Sequence, residues 1–122
     1  MAFEQFDRHA YLNLETFRKN GEGVRTPVWF LQDGEILYIR TEDGSGKVKR
    51  IRRNGQVKIV PSDGRGTPLG EWEGGQAFLV DGADAVRING LMAKKYRSKW
   101  MFDILGKIRR ARYVVIAVRP AV

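Results

Sequence analysis

The densest concentration of chemistry-bearing residues is "GSGKVKRIRRN", Gly44 to Asn54, with five cationic side chains between Lys47 and Arg53. Its first residues, Gly44, Ser45, Gly46 and Lys47, stand where a strand gives way to a helix. Glycines let a phosphate approach the backbone, the first N–H groups of the helix favour an anion, and a hydroxyl and an ammonium add donors. A lysine at a helix start opposes the dipole unless an anion lies between, so Ser45 and Lys47 read as an anion site. The stretch lacks the Gly-x-x-x-x-Gly-Lys-Ser/Thr spacing of a P-loop, which argues against nucleotide hydrolysis. Lys49 and Arg50 stand between an extension of that site and a solvated helix face, and Arg52 and Arg53 read as the solvated face.

Two other clusters compete for attention. "KKYRSKWMFDILGKIRRAR" sets eight Lys or Arg against only Asp103, with Tyr96, Trp100 and Phe102 interleaved. That mixture suits single-stranded nucleic acid, but its helical spacing beside Met101, Ile104 and Leu105 also fits a packed face, and no named nucleic-acid motif is present. Glu71 and Glu73 share a face of an expected strand, as a carboxylate pair does, yet no sugar-binding aromatic pattern accompanies them. With no cysteine and His9 as the sole histidine, thiolate chemistry, zinc sites and His-based triads lack their parts, so no metal is expected.

These groups must be positioned by one domain spanning residues 1–122, since the length suits a single core. "AYLNLETF" alternates as a strand and turns at "NGEG". "VRTPVWFLQDGEILYIRT" is a hairpin about Asp33-Gly34, with Val24, Thr26, Val28 and Phe30 on one face and Arg25, Trp29 and Leu31 on the other. Pro27 cannot donate to a ladder and therefore marks an edge, a bulge or a place where the sheet stops pairing. Ser45 opens a short helix whose Val48 and Ile51 form an apolar ridge. "QVKIVPSD" and "EWEGGQAFLV" are strands around the loop "DGRGTPLG". Asp81 caps a helix running through Trp100 with Ala85, Ile88, Met92 and Tyr96 on one face, "WMFDILG" offers another helical turn, and "RYVVIAVRP" is a buried strand. Six strands and about two helices make a mainly β, α+β chain closing as a small barrel.

The net charge of +8 favours an anionic partner. The N-terminus has neither a signal-peptide pattern nor a membrane-spanning run, so a cytoplasmic protein with no membrane partner is expected.

The order of strands and helix through "RTPVWF", "LYIRT", "SGKVKRIRRN", "VKIVPSD" and "EWEGGQAFLV" resembles the pyridoxamine 5'-phosphate oxidase-like, flavin-binding split-barrel superfamily. "TFRKNGEGVRTPVWF", "SGKVKRIRRN" and "VPSDGRG" look most like its probable F420-dependent oxidoreductases. The resemblance implies a six-stranded split barrel, hydride transfer through the deazaflavin F420 or FMN, and a homodimer with the cofactor in a cleft between subunits. It implies that Thr26, Pro27, Val28 and Trp29 line the ring, with backbone N–H groups near Thr26 to Val28 at the ring edge and Arg25 supplying positive charge. Arg40, Thr41, Ser45 and Lys47 would hold the phosphate, with Lys49 and Arg50 as further contacts. Phe30 stands where oxidases of pyridoxamine phosphate carry a substrate-binding lysine, so that substrate is not expected. The alternatives are a basic nucleic-acid-binding domain without catalysis and a cofactor carrier or sensor.

Overall fold

The structure, a computed structural model, describes residues 2–96 and 113–121. Its six strands are β1 (Tyr11–Phe17), β2 (Gly23–Asp33), β3 (Ile36–Glu42), β4 (Gln56–Ser62), β5 (Glu73–Val80) and β6 (Tyr113–Pro120). The helices are α1 (Gly46–Arg53) and α2 (Gly82–Lys95), preceded by a 3-10 turn at Glu4–Phe6. The strands close a barrel in the order β1-β2-β3-β6-β5-β4, and every neighbouring pair is antiparallel.

Alternation along the strands fills the interior. Leu12, Leu14, Phe30, Leu37, Ile39, Ile59, Ile116 and Val118 form one buried cluster, to which α1 adds Val48 and Ile51. The N-terminal turn contributes Phe3 and Phe6, stacked edge-to-face with each other and then onto Phe30 at centroid distances of 5.7 and 5.8 Å. A second cluster lies where α2 packs Ile88, Met92 and Tyr96 against Val115, Trp29, Leu31 and Tyr38. Each helix thus serves one cluster.

The hairpin about Asp33-Gly34 forms as expected, with Gly34 at φ 64°, a left-handed conformation that glycine adopts without strain. Ser45 occupies the N-cap of α1 and Asp81 that of α2, but neither side chain makes a capping hydrogen bond. Glu71 precedes β5 rather than sharing a strand face with Glu73, and both residues meet Gln5. The expected continuation of α2 to Trp100, the turn at "WMFDILG" and most of the second basic cluster lie outside the described residues. Among those described, no helix is long and apolar enough to cross a membrane.

The strand that matters most is β2, because it changes partners along its length. From Gly23 to Trp29 it pairs with β1, and from Phe30 to Asp33 it pairs with β3. β3 continues past Ile39, but its last residues, Arg40, Thr41 and Glu42, pair only with Val115, Val114 and Tyr113 of β6. The seam between β2 and β3 therefore opens.

Candidate functional site

The open seam is a cleft of about 280 Å³ lined by Thr26, Pro27, Val28, Trp29, Arg40, Thr41, Glu42, Ser45, Lys47 and Tyr113. One wall is the stretch of β2 that β3 has left. The other is the end of β3, the start of β6 and the first turn of α1.

At the closed end of the cleft, the residue that follows α2 and caps it fixes the orientation of β2. The Tyr96 hydroxyl accepts the Phe30 N–H at 3.0 Å and lies 2.7 Å from the Phe30 carbonyl and 2.6 Å from the Ala10 carbonyl, to which it donates. It is a wedge between β2 and the residue preceding β1. Phe30 thus turns both backbone groups towards β1, and alternation along an antiparallel strand turns those of Pro27 and Trp29 towards β3. Proline lacks a donor on the side where the ladder has stopped, which is where a strand tolerates it. The same alternation sends the Thr26 and Val28 N–H groups to β1, so they do not face the cleft.

Trp29 lines the cleft and stacks on Tyr96, with ring centroids 4.7 Å apart and planes 10° from parallel. Burial pushes the Tyr96 phenol well above its ordinary pKa, keeping it protonated as a donor. Lys95 donates to the Phe30 and His9 carbonyls at 2.7 and 3.0 Å, and desolvation draws its ammonium down to about 8.

The opposite wall is cationic and hydroxylic. The Arg40 guanidinium lies 3.9 Å from the centroid of the Tyr113 ring, a cation–π contact across the β3–β6 ladder. Desolvation lowers the Arg40 pKa, with Tyr113 acting in the opposite sense. The Thr41 and Ser45 hydroxyl oxygens are 3.5 Å apart. Lys47 is lowered first by desolvation, then by the like charge of Arg50, with Glu42 partly offsetting both. Two cations and two hydroxyls converge, which is the donor set a phosphate takes.

Eight residues singled out in the sequence therefore share this cleft: Thr26, Pro27, Val28, Trp29, Arg40, Thr41, Ser45 and Lys47. Three do not line it. Arg25 is held by Glu15 at 2.9 Å and lies over the Trp72 ring at 4.5 Å, Lys49 is exposed on α1, and Arg50 donates to the Thr16 hydroxyl at 2.6 Å. Glu42 and Tyr113 are the cleft residues that sequence reasoning passed over. Tyr113 enters because the start of β6 lies opposite the end of β3, with Glu42 and Tyr113 as direct partners. Among the described residues, no group of three His, Cys, Asp or Glu is placed to hold a metal.

Compared by sequence, the chain matches no family model and no curated protein. Compared by structure, it shares its fold with split-barrel proteins over nearly its whole length. A provisional pyridoxamine 5'-phosphate oxidase of Listeria innocua superposes with a TM-score of 0.68 at 21% identity, over 96% of this chain and 88% of that one. An F420 reductase gives 0.65 at 20% identity, over 99% and 94%. The haem storage protein HutZ of Vibrio cholerae gives 0.71 at 15% identity, over 100% and 92%. The architecture is that of the pyridoxamine 5'-phosphate oxidase-like split barrel.

Proposed function

We propose that the open β2–β3 seam binds a flavin-type cofactor, F420 or FMN, and that the protein is an oxidoreductase using it. The observation that carries this reading is the convergence of Arg40, Thr41, Ser45 and Lys47 on one wall of a cleft whose other wall is a strand edge carrying Pro27 and Trp29. The cofactor would supply hydride transfer, and the chain supplies position, charge and exclusion of water.

Each residue then has a task. Lys47 and Arg40 neutralise the phosphate, with Tyr113 holding the Arg40 guanidinium in place from behind. Thr41 and Ser45 donate hydroxyl hydrogen bonds to it. Thr26, Pro27, Val28 and Trp29 offer a flat wall for a planar ring, and Pro27 keeps that wall from being zipped to β3. Arg25 is engaged by Glu15 and Trp72 and has no part in this arrangement. A second copy of the chain closing over the cleft would complete the cover, so light scattering of the loaded protein is expected to give a dimer mass.

An F420 reductase among the structural relatives supports the reading. A haem-storing protein of the same fold raises the competing one; histidine, a common haem ligand, is not among the residues lining this cleft, and His9 is the sole histidine of the sequence. Titration of the purified protein with F420 and with FMN, followed by ligand fluorescence, is the test. Lys47→Ala is expected to weaken binding roughly tenfold or more, as loss of a charge-assisted phosphate contact does, while leaving the fold intact. Failure of the wild type to bind either molecule, or binding indifferent to Lys47, would sink the proposal.

A further inference from the structure

The cationic groups behind the cleft are held differently from three other arginines of the chain. Arg25, Arg52 and Arg87 each meet a carboxylate oxygen, at 2.9, 3.2 and 3.1 Å. Arg50 and Arg53 meet none among the described residues. They are pinned instead by neutral acceptors at the end of β1, Arg50 to the Thr16 hydroxyl at 2.6 Å and Arg53 to the Phe17 carbonyl at 2.8 Å. Arg18, the next residue along, meets Glu22 at 3.8 Å and no other carboxylate among the described residues.

Arg50 and Arg53 are thus tied to consecutive residues, Thr16 and Phe17, that run directly into Arg18, so three guanidinium-bearing residues meet at the end of β1. Arg18 and Arg53 lie close enough to Arg50 for their charge to add to desolvation in lowering its pKa. Like charges held together by neutral groups cost free energy that an anion between them would recover.

The cluster is continuous with the cleft. Gly46 lies between two cleft residues, Ser45 and Lys47, and a methyl group placed on it would sit 2.8 Å from Arg50 Nη1. The Arg50 guanidinium thus lies against the first turn of α1, near enough to Lys47 for its charge to lower the lysine's pKa and near enough to Arg18 and Arg53 to feel theirs. A ligand whose phosphate rests at Lys47 has this cluster directly beyond it.

We propose that Arg18, Arg50 and Arg53 form a second anion subsite, taking a further phosphate or carboxylate borne by the same ligand that fills the cleft. The inference rests on the cofactor reading above and sharpens it: the ligand carries more than one anionic group. A diphosphate and an acidic peptide-like tail share that chemistry.

The test compares wild type with the Arg18→Gln/Arg53→Gln double variant and, in parallel, Lys47→Ala, at low ionic strength. The probes are FMN with one phosphate, FAD with a second phosphate, and F420 with several glutamyl carboxylates. The double variant is expected to lose roughly tenfold in affinity for the ligand with the added anion, and less than about twofold for FMN. Loss confined to FAD identifies a second phosphate, and loss confined to F420 identifies the carboxylate tail. Wild-type binding should also fall more steeply with salt for that ligand than for FMN. Equal losses for all three probes, or none, overturn the subsite; if Lys47→Ala still weakens FMN, the cofactor reading survives. A wild type that binds none of the three overturns both.

Discussion

The two ends of the seam between β2 and β3 are built from the same two strands and behave oppositely. From Phe30 to Asp33 the strands are zipped, with Phe30 and Ile39 buried in the barrel interior and the neighbouring β1 side wedged by Tyr96. From Trp29 back to Thr26 they part, and the gap is walled by Pro27 on one side and Arg40, Thr41 and Lys47 on the other. The closed end is held by burial and by one hydroxyl serving three backbone groups. Within the open end, Pro27 lacks a donor on the side that faces β3, two residues beyond Trp29, the first open-end residue whose backbone turns that way. A barrel can thus keep a site by withholding a few ladder bonds while concentrating packing beside the gap.

Charge reversal at the open end should have the largest effect. Lys47→Glu puts a carboxylate where the phosphate is proposed to rest, and affinity for FMN or F420 is expected to fall about a hundredfold or more in fluorescence titration, with the melting temperature little changed. At the closed end, Tyr96→Phe leaves the Phe30 N–H and the Phe30 and Ala10 carbonyls without the hydroxyl. Urea denaturation should register a loss of about 2 kcal/mol. An unchanged midpoint would mean that the wedge does not hold the seam.

Pro27→Val tests the difference between the two ends directly. It returns an N–H to the side facing β3 and invites the ladder to extend, narrowing the cleft. Ligand affinity should drop about fivefold, while stability stays within about 1 kcal/mol because the added bond offsets the lost proline constraint. Binding as tight as wild type would show that the missing donor does not keep the seam open.

The smallest effect expected is a pH dependence at Lys95. Its ammonium titrates near 8 in the folded chain against 10.5 ordinarily, so the folded state releases the proton first. Stability contributed by this group is therefore lowest below pH 8 and rises between about 8 and 10.5. Denaturation midpoints of wild type compared with Lys95→Met across that window should differ in slope; parallel curves would assign the shift elsewhere.

Much of this arrangement is legible from local chemistry. The Asp33-Gly34 turn, the alternation of β1 and β2, and the Val48 and Ile51 ridge of α1 each follow from a few adjacent residues, and the structure has them. The cationic and hydroxylic wall of the cleft is within reach for the same reason, because Arg40, Thr41, Ser45 and Lys47 are close neighbours in the chain. Pro27 marked an anomaly whose meaning required register: only the alternation set by Tyr96 and Phe30 tells which side lacks its donor. Tyr113 and Glu42 were illegible because they meet through β-pairing between distant segments. Arg25 looked available as a cation, but its ion pair with Glu15 across β1–β2 and its contact with Trp72 are tertiary facts. Glu15 itself shows why alternation alone misleads, since β1 is buried on both faces rather than one.

The Trp29–Tyr96 stack gives the molecule an optical reporter. An indole that borders the cleft while resting on the ring that caps α2 is positioned to transfer excitation to any flavin beside it, and to change emission if the helix lifts. Occupancy of the gap and seating of the helix can thus be followed in unlabelled protein, with Trp29→Phe as the blank.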